Sequence, residues 1–81
     1  MYYVYLLRSK KNNQLYFGFT NDLKRRIAEH NKGLSKSTKI NAPWELIYYE
    51  AFKDQELAEK REQSLKYFGR AYGQLKKRIG L

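Results

Sequence analysis

Eighty-one residues without a cysteine leave room for one small core, and for no disulfide framework, thiolate zinc site or cysteine nucleophile. Seventeen Lys and Arg against eight Asp and Glu give a formal net charge of +9, which points to polyanions, DNA or RNA, as partners. The single histidine excludes a multi-His metal site within one chain, and no apolar run reaches the length of a membrane span.

The opening MYYVYLLRSKK is too short and too rich in tyrosine for a signal peptide, so one cytoplasmic domain spanning residues 1–81 is expected, with no membrane contact. Tyr2 to Arg8 is apolar at consecutive positions, the pattern of a strand covered on both faces. Ser9 to Asn13 is a polar turn, and Gln14 to Phe19 resumes strand character, so the first nineteen residues read as a β-hairpin. A loop of this length does not set the register, which leaves open whether Tyr5 and Tyr16 share a face.

Tyr16 to His30 carries the most chemistry per residue. Gly18 permits close backbone approach or a bulge, and Thr20, Asn21 and Asp22 are the residue types preferred just before a helix, which should begin near Leu23. On that helix Leu23 and Ile27 form an apolar pair, and Arg26 and His30 a second pair about 60° round the axis, bordering the buried stripe. A guanidinium, an imidazole and the Tyr16 hydroxyl converging there suit a phosphate. The competing reading is a surface histidine and a solvated Lys24-Arg25-Arg26 run.

Asn31-Lys32-Gly33 should stop the helix. Leu34 to Pro43, with Ser35, Lys36, Ser37, Thr38 and Lys39, reads as an exposed loop, either a plain connector or a set of phosphate contacts. Trp44 to Phe52 is the clearest strand. Trp44, Leu46 and Tyr48 alternate there with Glu45, Ile47 and Tyr49, neither face is plainly wet, and a place inside the sheet is expected. Asp54 should cap a helix from about Gln55 to Tyr67, with Leu57, Ala58, Leu65 and Phe68 on its buried side, Glu62 at the edge of that stripe and Glu59 toward solvent. Gly69 is expected to end it, and Tyr72 to Ile79 to form a short third helix. The fold class is therefore α+β, a small three-stranded antiparallel sheet flanked by helices in the order β-β-α-β-α-α, with Trp44, Leu46, Ile47, Leu57 and Leu65 in the core. No Gly-rich phosphate loop is present, so no nucleotide cofactor is expected.

Five short pieces in order, with matching gaps, resemble the GIY-YIG nuclease family. Tyr3-Val4-Tyr5 stands where the first family tripeptide falls, and Tyr16-Phe17-Gly18 where the second falls. Arg26 follows Tyr16 by ten residues and His30 lies four further on, while Ala58, Glu62 and Lys66 recur at four-residue steps where the family carries its metal-binding glutamate. The similarity spans nearly the whole chain and is nearest to the small stand-alone bacterial members, relatives of the N-terminal nuclease domain of the excision-repair cleavage subunit. Tyr3 replaces the usual Gly and Phe17 the usual Ile, and the Asn found beyond the glutamate in that subunit has no counterpart in the closing KYFGRAYGQLKKRIGL.

The resemblance implies hydrolysis of a DNA phosphodiester with one divalent cation, Mg²⁺ or Mn²⁺, and a place in DNA repair. It makes Glu62 the metal ligand and gives catalytic roles to Tyr5, Tyr16, Arg26, His30 and Glu62. Arg26 would offset charge on the scissile phosphate, and Tyr16 would position or deprotonate the attacking water, with His30 and Tyr5 orienting it. A tyrosine base, with a reference pKa of about 10, calls for a cation or imidazole close by. Lys10, Lys11, Arg25, Arg26, Lys36, Lys39 and Lys66 are the expected nucleic-acid contacts. The alternative function is a nucleic-acid-binding module of the same fold with little or no cleavage activity.

Overall fold

A computed structural model describes all 81 residues. The elements follow the expected order: β1 (Tyr2–Ser9), β2 (Leu15–Thr20), α1 (Leu23–Asn31), a single 3₁₀ turn (Lys39–Asn41), β3 (Trp44–Phe52), α2 (Gln55–Tyr67) and α3 (Gly69–Ile79). The three strands are antiparallel and ordered β2-β1-β3. β1 is thus the central strand, which accounts for its unbroken apolar run, and Val4, Tyr5, Leu6 and Leu7 are all buried. β3 lies at the sheet edge, contrary to the place inside the sheet expected from its lack of a wet face. Its apolar character on both sides is used instead by two layers of helix.

α1 covers one face of the sheet, and α2 with α3 covers the other. Tyr5, Leu7 and Trp44 form the core on the α1 side, backed by Tyr16, Leu23, Ile27 and Leu46. Val4, Leu6, Phe17, Ala58, Leu65 and Leu75 form the core on the α2 side. A bulge in β3 sets which residues join which layer: Leu6 pairs with Tyr48 but Leu7 pairs with Leu46, leaving Ile47 as the extra residue. Trp44 and Leu46 therefore face α1, whereas Ile47 and Tyr48 both pack against the α2 side. The simple alternation that put Trp44, Leu46 and Tyr48 on one face breaks at that point.

Trp44 and Leu65 are buried and Leu46 and Ile47 half-buried, but Leu57 is 52% exposed and does not belong to the core. α2 docks through Ala58 and Leu65, seven residues apart, and Leu57 falls roughly 80–100° off that stripe at 100° per residue. Phe68 is likewise exposed. It is the extended residue at which α2 ends, and Gly69, expected to terminate that helix, instead opens α3. The third helix consequently begins three residues before the expected Tyr72.

The caps of α1 match their residues. The Asp22 carboxylate accepts the Arg25 backbone N–H at 3.1 Å, and Gly33 takes the left-handed conformation (φ +74°) after the last turn. The loop after it is not the open connector expected, because Ser35 and Thr38 are buried. Ser9 anchors that loop to the hairpin: its hydroxyl donates to the Asn41 carbonyl at 2.6 Å and accepts the Lys11 and Asn12 N–H groups. No helix is long and apolar enough to cross a membrane.

Candidate active site

Register settles the question left open by the hairpin loop. Tyr16 pairs with Leu7 and Gly18 with Tyr5, so both tyrosines lie on the α1 face. Gly18 is required there, since the Tyr5 ring lies directly over its Cα and a Cβ would meet the ring carbon Cε2 at 2.7 Å and press still closer on Cζ and the hydroxyl. With that room the Tyr5 hydroxyl reaches His30 Nε2 at 2.8 Å. The other imidazole nitrogen, Nδ1, is 2.7 Å from the Thr38 hydroxyl. Trp44 Nε1–H then donates to the Thr38 carbonyl at 2.9 Å, and the Tyr16 ring stands edge-on to His30 with centroids 5.3 Å apart.

His30 is fully buried, not a surface histidine, and both its nitrogens are engaged. Burial, reinforced by the Arg26 charge, pushes its pKa down to about 4, so the imidazole is neutral at pH 7. Burial likewise pushes the Tyr5 hydroxyl up to about 12, against the opposing effect of the Arg26 guanidinium beside it. Tyr5 is therefore a protonated phenol that holds its neighbours in place.

Arg26 is partly exposed and pairs with Glu29 at 3.0 Å one turn along α1. Its guanidinium is thus both anchored and open on one side. Across the β2 edge, α2 brings up Glu62, whose side chain is only 16% exposed and whose carboxylate lies 2.7 Å from Lys66 Nζ. Lys66 in turn sits over the Tyr16 ring, 5.4 Å from its centroid. Glu62 is near enough for its charge to raise the Tyr5 pKa. Tyr5, Tyr16, Arg26, His30 and Glu62 are hence gathered from β1, β2, α1 and α2 about the open edge of β2, with Tyr5 and His30 sealed inside and Tyr16, Arg26 and Glu62 at the surface.

No cluster of three or more His, Asp or Glu side chains is present. Glu62 is a single carboxylate, a donor set that suits a hard cation such as Mg²⁺, which takes one or two carboxylates and fills its remaining positions with water and phosphate oxygens. It does not suit zinc, whose protein sites take three or four side-chain donors, most of them His nitrogen or Cys sulfur.

Among the expected nucleic-acid contacts, Lys10, Lys11, Arg25, Lys36 and Lys39 are exposed. The hairpin turn and the 3₁₀ turn meet, with Lys11 Nζ donating to the Ile40 carbonyl at 3.1 Å and the Asn12 and Asn41 amides bonded at 2.8 Å, so Lys10, Lys11 and Lys39 share one end of the molecule. Lys66 and Arg25 differ from the other four in being ion-paired, Lys66 with Glu62 at 2.7 Å and Arg25 with Glu29 at 3.9 Å. Three contributors were not singled out from the residues alone. Thr38 looked like one hydroxyl in a polar loop. Glu29, which holds Arg26, drew no reading of its own, and Asn31, read only as part of a helix stop, also donates its amide to the Trp44 carbonyl at 3.1 Å. Their roles depend on contacts between segments, which no periodicity announces.

Comparison with known proteins shows the family of the chain. A UPF0213 protein of Staphylococcus saprophyticus is 40% identical over 70 residues, covering 85% of this chain and 84% of that protein. One from Clostridium perfringens is 42% identical over 67 residues, covering 82% and 71%. The solution NMR structure of a UPF0213 protein from Bacillus halodurans superposes with a TM-score of 0.57 at 36% identity, covering 93% of this chain and 82% of that one. The model of the GIY-YIG catalytic domain matches residues 1–77, and with nearly the whole chain so matched, the protein belongs to the GIY-YIG family.

Proposed function

We propose that this protein is an endonuclease that hydrolyses DNA phosphodiester bonds with the help of one divalent cation, Mg²⁺ or Mn²⁺. The observation that carries the reading is the convergence of Tyr16, Arg26 and the Glu62–Lys66 pair on one open edge of the sheet, over a buried Tyr5–His30 pair that holds them in register. Family membership supports a nuclease-type chemistry. Arg26, held on one side by Glu29, presents the rest of its fork to the scissile phosphate and offsets charge as it builds up in the transition state. Tyr16, half-buried beneath Lys66, positions the attacking water, and Lys66 adds a second cation for the phosphate once it leaves Glu62. Glu62 would hold the cation, which when bound would supply Lewis-acid charge at the phosphate. The exposed lysines of the hairpin turn and loop extend the positive surface along the DNA backbone, which gives phosphate contacts without any base-reading element.

One observation favours the alternative of a binding module with little cleavage: the Glu62 carboxylate is already neutralised by Lys66 at 2.7 Å. The two readings separate on incubation of the purified protein with branched, nicked, single-stranded and duplex DNAs, each with Mg²⁺, with Mn²⁺ and with chelator. Cation-dependent cleavage of at least one substrate is expected. Binding without cleavage across the whole panel would overturn the endonuclease reading in favour of the module.

A further inference from the structure

We propose, resting on the DNA-binding part of the proposed function but not on cleavage, that the cleft at the outer edge of β2 holds an unpaired nucleobase of the strand whose phosphate meets Arg26. The cleft lies between β2 and the corner of α2 and α3, has a volume of about 270 Å³, and is lined by Leu15, Tyr16, Phe17, Leu65, Lys66 and Tyr72. Pockets that take whole drug-sized ligands run to roughly 300–1,000 Å³, so this one suits a single ring system. A larger cavity of about 520 Å³ lies between α1 and β3, but Lys24 and Asp22 leave it without net charge, and none of Tyr5, Tyr16, Arg26, His30 and Glu62 lines it. The β2 cleft instead shares Tyr16 and Lys66 with the candidate site, so a strand bound at the site passes its mouth.

Its walls are aromatic and its surroundings cationic. Phe17 and Tyr72 meet edge to face with ring centroids 5.6 Å apart, Lys66 Nζ stands 5.4 Å from the centroid of the Tyr16 ring, and Lys76 Nζ stands 5.2 Å from that of Tyr72. Tyr67 and Phe68, next in the chain after Lys66, are 75% and 65% exposed. The Phe68 carbonyl accepts the Tyr72 N–H at 3.3 Å, which puts Phe68 one helical turn from the cleft. A single exposed aromatic is ordinary, whereas two in succession beside an aromatic-lined cleft gain nothing from the core and leave a surface open to a flat ligand. Beyond Glu62 the sequence holds Lys66, Arg70, Lys76, Lys77 and Arg78 and no Asp or Glu, which favours a ligand that carries negative charge.

Rings interleaved with cations beside a phosphate site are what a single strand requires, the cations following its backbone and the rings stacking on its bases. A base inside a duplex is already paired and stacked, and extracting it costs that energy, so the cleft favours a base that is free beforehand. Lys66 and the two tyrosine hydroxyls are the only polar side-chain groups lining the cleft, too few to read a base edge, and stacking there tolerates any base.

Bases and phosphates are separated by comparing a single-stranded oligonucleotide with an abasic strand of the same length, which has the same charge and no base, by fluorescence anisotropy in chelator. Wild type should bind the base-bearing strand on the order of tenfold or more tightly than the abasic one, whatever its sequence. Phe68→Ala and Tyr72→Leu should each remove about fivefold or more of that preference, with abasic affinity held within about twofold, and Tyr72→Phe should keep it because the ring remains. Tyr49→Ala, which removes an exposed aromatic on β3, should leave both affinities unchanged. Equal affinity of wild type for the two strands overturns the inference, as does a preference that survives intact in Phe68→Ala or Tyr72→Leu. If Tyr72→Leu does not fold, wild type and Phe68→Ala still decide. Base-dependent binding by a protein that cleaves no DNA would count against the endonuclease reading alone, and cleavage without base preference against the cleft alone.

Discussion

Replacing Gly18 by alanine adds one methyl group, yet the structure makes it one of the most disruptive small changes available. The new Cβ would overlap the hydroxyl end of Tyr5, a side chain 1% exposed and packed between β2 and α1, so it cannot swing into open space. Overpacking of this kind costs about 1–3 kcal/mol. Moving Tyr5 off His30 leaves a buried donor and acceptor unpaired, which adds about 1–3 kcal/mol, and alanine returns only about 0.5–1 kcal/mol through the unfolded chain. The net loss should be about 1–5 kcal/mol, a large share of a small domain's stability. Gly73→Ala is the control, because nothing lies within 4 Å of a Cβ there and the residue is inside α3; it should be neutral or stabilise by up to about 1 kcal/mol. Urea denaturation of the three proteins measures both effects. Equal midpoints for Gly18→Ala and wild type would refute the packing argument and with it the placement of Tyr5.

The pKa of His30, depressed to about 4 from the ordinary 6.5, means that the unfolded chain binds a proton the folded one refuses. Stability from this source is complete above pH 6.5 and falls as pH drops toward 4, by on the order of 3 kcal/mol, and an NMR titration in which His30 of the folded protein titrates near 6.5 would contradict it. Leu65→Ala should cost about 2–5 kcal/mol and Leu57→Ala less than about 1, because the first is 2% exposed and the second 52%; similar melting temperatures for the two variants would show the face of α2 to be misassigned. DNA affinity, measured in chelator, should fall steeply with added salt, and a salt-insensitive but strongly sequence-dependent constant would rule out binding through the exposed lysines.

Much of the fold was legible because local signals agreed with one another. Asp22 and Gly33 bracket α1 as residue types predict, and the apolar run of β1 reads as a strand covered on both faces, which its central place in the sheet makes it. The misreadings occur where the outcome depends on partners distant in sequence. β3 carries apolar residues on both sides because a bulge at Ile47 hands successive residues to two helical layers, and alternation alone cannot distinguish that from a central strand. Gly69 has the chemistry of a helix stop, but Phe68, extended at φ −116° and ψ 102°, already turns the chain, and the glycine is left to start α3. At the candidate site, spacing along two helices placed Arg26, His30 and Glu62 near buried stripes, and the sheet register then brought Tyr5 and Tyr16 to His30. The depth of His30 was not legible, since it depends on Thr38, from a segment that reads as polar loop, meeting the ring while the Trp44 indole at the start of β3 holds the Thr38 carbonyl.

The role of Glu62 is the most direct point at which to test the proposed function. Glu62→Gln preserves volume, removes the charge that holds a cation, and releases Lys66 from its 2.7 Å ion pair so that it can meet phosphate. Single-turnover cleavage with Mg²⁺ and equilibrium DNA binding in chelator should be measured side by side on wild type, Glu62→Gln and Arg26→Ala. Cleavage should disappear in Glu62→Gln while affinity holds or rises, and Arg26→Ala should weaken both, because its guanidinium meets the phosphate in ground and transition states alike. A Glu62→Gln protein that cleaves as fast as wild type would contradict the assignment of the cation to this carboxylate.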